Sequence, residues 1–186
     1  EQDAAGAGAT GMDFAPMLAA IQPYTSAADL ALCHLETPLA PPGGPFKGYP
    51  LFSAPPQILP ALVSLGYDAC STASNHSFDQ GGVGSQRTLD ALDASGIAHA
   101  GSARTPEEAT QTTMLDVNGV KVALLSYTYG FNGIPYPNGE TWRANLIDAG
   151  AITSAAATAR QRGAQVVILA LHWGTEYQQT PDALQL

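Results

Sequence analysis

The sequence has 186 residues, 45% of them hydrophobic and 12% charged, with a formal net charge of −9. That is enough apolar material for one sizeable core, since single domains usually run to roughly 100–200 residues. The seven Lys and Arg are scattered, with only Arg160 and Arg162 close together, so no basic stripe exists to neutralise a phosphate backbone and the composition argues against nucleic-acid binding. An acidic chain also repels an anionic polymer unless a local cation intervenes. No stretch reaches the roughly 18–20 apolar residues that span a bilayer, and no signal peptide is evident at the start of the sequence.

In chain order, residues 12–21 place Phe14, Met17, Leu18 and Ile21 at helical spacing, with Asp13 suited to start the helix. Residues 29–35 form a compact apolar run, expected as a buried strand. Residues 37–56 are full of Pro and Gly, and a loop of that length is usually functional or disordered. A short helix is expected over 57–65, closed by Gly66. The next strand covers 67–73 and runs into a polar loop at 74–82. An amphipathic helix follows over 83–94, with Leu89 and Leu92 facing in and Gly96 closing it, and then a short strand over 97–101. Residues 112–117 and 120–127 flank Asn118-Gly119, the strongest short-range hairpin signal. Residues 129–141 are a second turn-rich loop. An Ala-rich helix over 147–162 leads to the clearest strand, 166–171. Alternating strands and helices predict a largely parallel sheet with one antiparallel hairpin. The two cysteines, Cys33 and Cys70, fall inside apolar runs and are expected as buried, inert thiols; a disulfide stays open, because two cysteines alone do not imply one.

In parallel α/β sheets, ligands gather outside the carboxyl ends of the strands. Three strands end there in residues that bind metal or move protons: His34-Leu35-Glu36, Asn75-His76 and His172. Taken singly, each has a plain alternative. Glu36 can be a solvated strand end, Asn75-His76 an Asx-turn, and His172-Trp173 a packed pair. Their coincidence at one edge points to chemistry, and Asn, His and Glu together suit a borderline divalent ion such as Zn, Mn, Fe or Co. His34 and Glu36, two apart, share a strand face. Asp79 can orient His76 as a supporting carboxylate or simply form a turn. Trp173 and Tyr177 can wall a pocket or pack in the core, and His99 is expected to be structural.

The blocks His34-Leu-Glu-Thr-Pro-Leu39, Phe52-Ser-Ala-Pro-Pro56, Gly66-Tyr-Asp-Ala-Cys-Ser-Thr-Ala-Ser-Asn-His76 and Leu171-His-Trp-Gly-Thr-Glu-Tyr177 resemble the CapA-type poly-gamma-glutamate capsule-synthesis proteins of the calcineurin-like metallophosphoesterase superfamily. The resemblance runs from about residue 12 to the C-terminus. It implies an α/β fold, the metallophosphoesterase-like layered αββα sandwich, incomplete in this chain: one CapA-like domain over 1–186 without the superfamily's first strand, since residues 1–11 offer no apolar strand, and without its C-terminal His-Pro-His segment.

By the same resemblance, Glu36 matches a bridging metal carboxylate, while Asn75 and His172 match ligands of a second metal. His76 matches a catalytic histidine that touches substrate and protonates the leaving group. His34, Asp79, Trp173 and Glu176 stand as substrate-binding or supporting residues. The cofactor would be a divalent metal (Mn, Zn or Fe), dinuclear in the complete protein, driving two-metal hydrolysis. The partners would be polyglutamate or another anionic substrate and other capsule-synthesis proteins, and the location extracytoplasmic, in the cell envelope or membrane-anchored. Two departures stand out: the family's common Asn before Leu-Glu is His34 here, and its Asn before Asn-His is Ser74. With the first metal's other ligands absent, the chain is expected to lack a complete dinuclear site and to show little or no hydrolase activity. The alternative is a non-catalytic envelope protein that binds or hands on a polyanionic capsule polymer.

Overall fold

Six strands and six short or medium α-helices follow one another along residues 12–186, the part of the chain that the computed structural model describes. The expectation that residues 1–11 hold no apolar strand lies outside the described residues. The elements are α1 (Ala15–Leu18), α2 (Gln22–Thr25), β1 (Leu32–His34), α3 (Ile58–Ser64), β2 (Ala69–Ser71), α4 (Gly81–Ala94), β3 (Ala98–Ala100), α5 (Pro106–Ala109), β4 (Thr113–Val117), β5 (Val120–Thr128), α6 (Ala149–Gln161) and β6 (Val166–His172).

The strands divide into two three-stranded sheets, β1-β2-β3 and β4-β5-β6, where the alternation of elements alone predicted one. The first sheet is wholly parallel. In the second, β4 and β5 pair antiparallel and β5 and β6 parallel. The sheets stack face to face, with Ala69, Ala98 and Ala100 of the first against Leu115, Leu124 and Ile168 of the second. Helices cover the outer faces. Leu59 and Leu62 of α3 and Leu89 and Leu92 of α4 pack with Cys70 and Ile97, while Ala159 of α6 packs with Ala123 and Val167. The result is the layered αββα sandwich. Residues 69–71 and 122–128, with a helix on one side and a sheet on the other, are buried throughout, which is why those runs show no polar alternation.

The hairpin forms as expected: Asn118 and Gly119 both have positive φ, 52° and 85°, as a two-residue turn matched to strand twist requires. Of the helix expected over 12–21 only one turn forms, α1, and a second, separate turn, α2, follows just beyond that span. Proline is tolerated in a helix's first turn but not behind one, and Pro16 and Pro23 each occupy the first turn of α1 and α2. The cysteines correct a second expectation. Cys33 and Cys70 stand opposite each other on parallel neighbours, with Cα atoms 4.4 Å apart, and are disulfide-bonded rather than free. Helix α5, capped by the Thr105 side chain, had no periodic apolar signal to reveal it.

Gly101 lies where the sheets meet. Its φ is +119°, and a Cβ there would stand 2.6 Å from the Ala73 backbone nitrogen and 2.7 Å from Ser126 Oγ. The Gly101→Ala variant should lose roughly 2–4 kcal/mol through backbone strain and overpacking. Thermal and urea unfolding measure this directly; an unchanged midpoint would mean that the sheets are free to part at this seam.

Candidate metal centre

His34 ends β1 in one sheet and His172 ends β6 in the other, so the two meet only because the sheets are stacked. His34 Nε2 lies 3.1 Å from His172 Nδ1, and the rings stack with centroids 5.0 Å apart. On its far side, His172 Nε2 is 3.0 Å from Asn75 Oδ1. His34 Nδ1 is 2.8 Å from Ser71 Oγ, its register neighbour on β2. The Tyr129 ring lies nearly parallel to His172 at 6.0 Å.

Asn75 is aimed by the turn that follows β2. The Ser77 hydroxyl accepts from the Ser74 N–H, and the Ser74 hydroxyl accepts from the His76 N–H, at 2.9 and 3.0 Å. Side-chain hydroxyls here replace the ladder bonds that the ending strand gives up. The Asn75 amide nitrogen donates to Asn132 Oδ1 at 3.2 Å, which turns its oxygen toward His172. Glu36, exposed just past β1, shares with Asn75 and His172 a cleft of about 300 Å³ that Tyr129, Trp173 and Glu176 also line. No Lys or Arg lines it.

His76 is mostly buried beside Asn75, near enough to His172 to act on its charge. Its Nδ1 is 2.7 Å from Asp79 Oδ2, and the same oxygen accepts the Phe52 N–H at 2.8 Å. A carboxylate oxygen can only accept, so Nδ1 carries the proton and Nε2 is left free. Phe52 closes over the His76 ring edge-on, at 4.8 Å. Residues 37–56 and 129–141 thus both border the site, one through Phe52 and the other through Tyr129 and Asn132. Thr88 and Arg87 of α4 pin the first loop, each bonding the Leu39 backbone at 2.8 Å. Tyr177, weighed as a pocket wall, is fully exposed. His99 lies away from the cleft, bonded to Asp93 at 3.1 Å.

The reading of strand ends found Glu36, Asn75 and His172 but not Ser71, Asn132, Tyr129 or Phe52. Of these, only Ser71 carried a local signal, as a polar residue inside an apolar strand. Burial lowers the pKa of both His34 and His172, and mutual repulsion between imidazoles adds to it, His172 acting on His34 and His76 on His172. Neutral imidazoles are the form that binds metal. Among the described residues no group of three or more His, Cys, Asp or Glu side chains is placed to hold an ion, and the Asn75 amide oxygen is the further donor that lies beside His172. Glu36, Asn75 and His172 offer a carboxylate, an amide oxygen and an imidazole, donors that a divalent transition metal accepts.

The model of the family described as "Bacterial capsule synthesis protein PGA_cap" matches residues 1–186. The chain is similar to the capsule biosynthesis protein CapA of Bacillus anthracis, 25% identical over 136 residues, which is 72% of this chain and 33% of that protein. It is 26% identical over 167 residues to a probable polyglutamine synthesis accessory protein of Mycobacterium tuberculosis, covering 82% of this chain and 43% of the relative. An uncharacterised protein of Sinorhizobium fredii is 38% identical over 76 residues, 41% of this chain and 16% of its own length. The chain therefore spans less than half the length of each of these relatives.

Three histidines, His34, His99 and His172, have pKa values below the ordinary 6.5, burial being the first cause in each case. The unfolded chain therefore takes up protons before the folded chain does, and stability falls as pH drops below about 6.5 toward the lowered folded values. Unfolding midpoints between pH 7.5 and 5 should decline, and less steeply in His99→Gln. A flat profile in the parent protein would contradict this electrostatic picture.

Proposed function

Since the chain belongs to the bacterial capsule synthesis protein family PGA_cap, whose fold is metallophosphoesterase-like, we propose that its cleft binds a divalent metal ion through Glu36, Asn75 and His172. The observation that carries this reading is the 3.0 Å approach of Asn75 Oδ1 to His172 Nε2, on a wall shared with Glu36. When bound, such an ion supplies charge stabilisation and a more acidic bound water. The chain's own residues do the rest. Asp79 holds the His76 ring with Nδ1 protonated, leaving Nε2 to hold or deliver a proton at the leaving group. Phe52 shields that ring from water.

Membership of this family supports a role in capsule synthesis at the cell envelope. The substrate we propose is an anionic polymer such as polyglutamate. The chemistry of the cleft constrains how it would bind: with Glu36 and Glu176 on the wall and no basic residue, a carboxylate or phosphate approaches only where a cation offsets that charge. A metal held by Glu36, Asn75 and His172 would supply that cation. No helix among the described residues is long and apolar enough to cross a membrane. The Cys33–Cys70 disulfide supports an oxidising, extracytoplasmic location.

A second reading, a non-catalytic domain that grips the polymer through a bound ion, is favoured by the small ligand set: three donors, one of them an amide. Calorimetric titration with Mn²⁺ or Zn²⁺, beside turnover of a phosphodiester substrate, separates the two. We expect one ion per chain, with affinity reduced more than about tenfold in His172→Ala and in Asn75→Ala. Binding with turnover that falls in His76→Asn supports the hydrolase; binding without turnover supports the polymer-holding role. Unaltered affinity in both ligand variants would remove the metal site altogether.

A further inference from the structure

We propose that His34 is a positioning residue that orients His172 for the metal by accepting the proton on its Nδ1, an inference that rests on the reading of the cleft as a metal site. Five groups form one hydrogen-bonded chain across the seam between the sheets. Ser71 Oγ lies 3.4 Å from the Cys33 carbonyl oxygen and 2.8 Å from His34 Nδ1. His34 Nε2 lies 3.1 Å from His172 Nδ1, and His172 Nε2 lies 3.0 Å from Asn75 Oδ1. The β1–β2 register puts His34 beside Ser71, one step beyond the bonded Cys33–Cys70 pair, so the first links are held by the sheet itself.

A neutral imidazole carries one N–H and one bare nitrogen, so this chain can run in only two directions. In the first, the Ser71 hydroxyl donates to His34 Nδ1, His34 Nε2–H donates to His172 Nδ1, and His172 Nε2–H donates to Asn75 Oδ1. Every group is paired, and His172 has no free lone pair for a metal. In the second, His172 Nδ1–H donates to His34 Nε2, His34 Nδ1–H donates to Ser71 Oγ, and the hydroxyl donates to the Cys33 carbonyl. His172 Nε2 is then bare and faces the Asn75 oxygen, lone pair against lone pair. That arrangement is unfavourable in the free protein and would become the favourable one with a cation ligated by both atoms.

Binding of a divalent ion at His172 Nε2 would therefore favour the second direction along the whole chain. Ligating histidines generally pass their other N–H to an acceptor that fixes the ring and raises its basicity. Here the acceptor is a second imidazole, whose own proton moves on to Ser71 and ends on the backbone, so no polar group is left unpaired. The reversal involves tautomers only, and neither ring changes its charge. His34 stacks on His172, which holds the ring plane as well as the proton.

The test combines ring ¹⁵N spectra of the histidines, with and without Zn²⁺, and calorimetric Zn²⁺ titration of the parent protein, His34→Ala, His34→Gln, Ser71→Ala and His172→Ala. His34 is open to solvent on one side and faces Ser71 and His172 on the other, outside the apolar core, and circular dichroism verifies the fold of each variant. On Zn²⁺ addition, we expect His172 to coordinate through Nε2 with Nδ1 protonated, and His34 to carry its proton on Nδ1. Affinity should fall about 10–100-fold in His34→Ala and recover most of the loss in His34→Gln, whose carbonyl oxygen can accept. Two results overturn the proposal alone: affinity lost in His172→Ala but unchanged in His34→Ala, or coordination of Zn²⁺ by His34 itself. Failure of the parent protein to bind Zn²⁺ overturns the underlying metal reading along with it.

Discussion

The cleft depends on how closely two sheets can approach each other. His34 belongs to one and His172 to the other, and their ring nitrogens come within 3.1 Å because the residues between the sheets are small. Ala69, Ala98 and Ala100 leave room for Leu124; Gly101 lets the Ala73 backbone and the Ser126 hydroxyl crowd in where a methyl group would not fit. A hollow of about 170 Å³ lined by His34, Ser71, Ser126 and His172 lies at the same seam. Stability and site geometry thus share one interface, and a change that spreads the sheets would separate His34 from His172 without touching either side chain.

The second support is local to the first sheet. Strands β1 and β2 are three residues each, too short for a parallel ladder to hold firmly by itself. The Cys33–Cys70 bond closes a sequence separation of 37 residues, and such a cross-link typically contributes about 2–4 kcal/mol. It sits one position before His34 and Ser71, so the bond that stabilises the sheet also fixes where the site begins. The outer wall depends in turn on α4, which ties the long proline-rich loop to the core through Leu39 and brings Phe52 onto His76 and Asp79.

Much of this was legible along the chain because the informative signals were local. Asn118-Gly119 specified its hairpin, apolar runs marked the strands, and the polar residues ending those runs marked the edge where Glu36, Asn75 and His172 gather. Relations between distant segments were not legible. The pairing of Cys33 with Cys70 requires knowing that β1 and β2 are neighbours in register, which no spacing reveals. The division into two sheets depends on small residues accepting a facing layer, and Ala is equally at home in a helix. His34 lies 138 residues from His172, so nothing near it in sequence identified its partner. Pro16, by contrast, is a local signal: it lies inside the span 12–21 and occupies the first turn of α1, so no helix extends far before it.

The proposed divalent ion would lie in the cleft at the strand ends, held by Glu36, Asn75 and His172. Anomalous diffraction from crystals grown with Mn²⁺ or Zn²⁺ tests it most directly. We expect one strong peak within about 2.0–2.3 Å of both Asn75 Oδ1 and His172 Nε2, with a Glu36 oxygen in reach. A peak bound elsewhere on the chain, or none at the cleft at saturating metal, would contradict it.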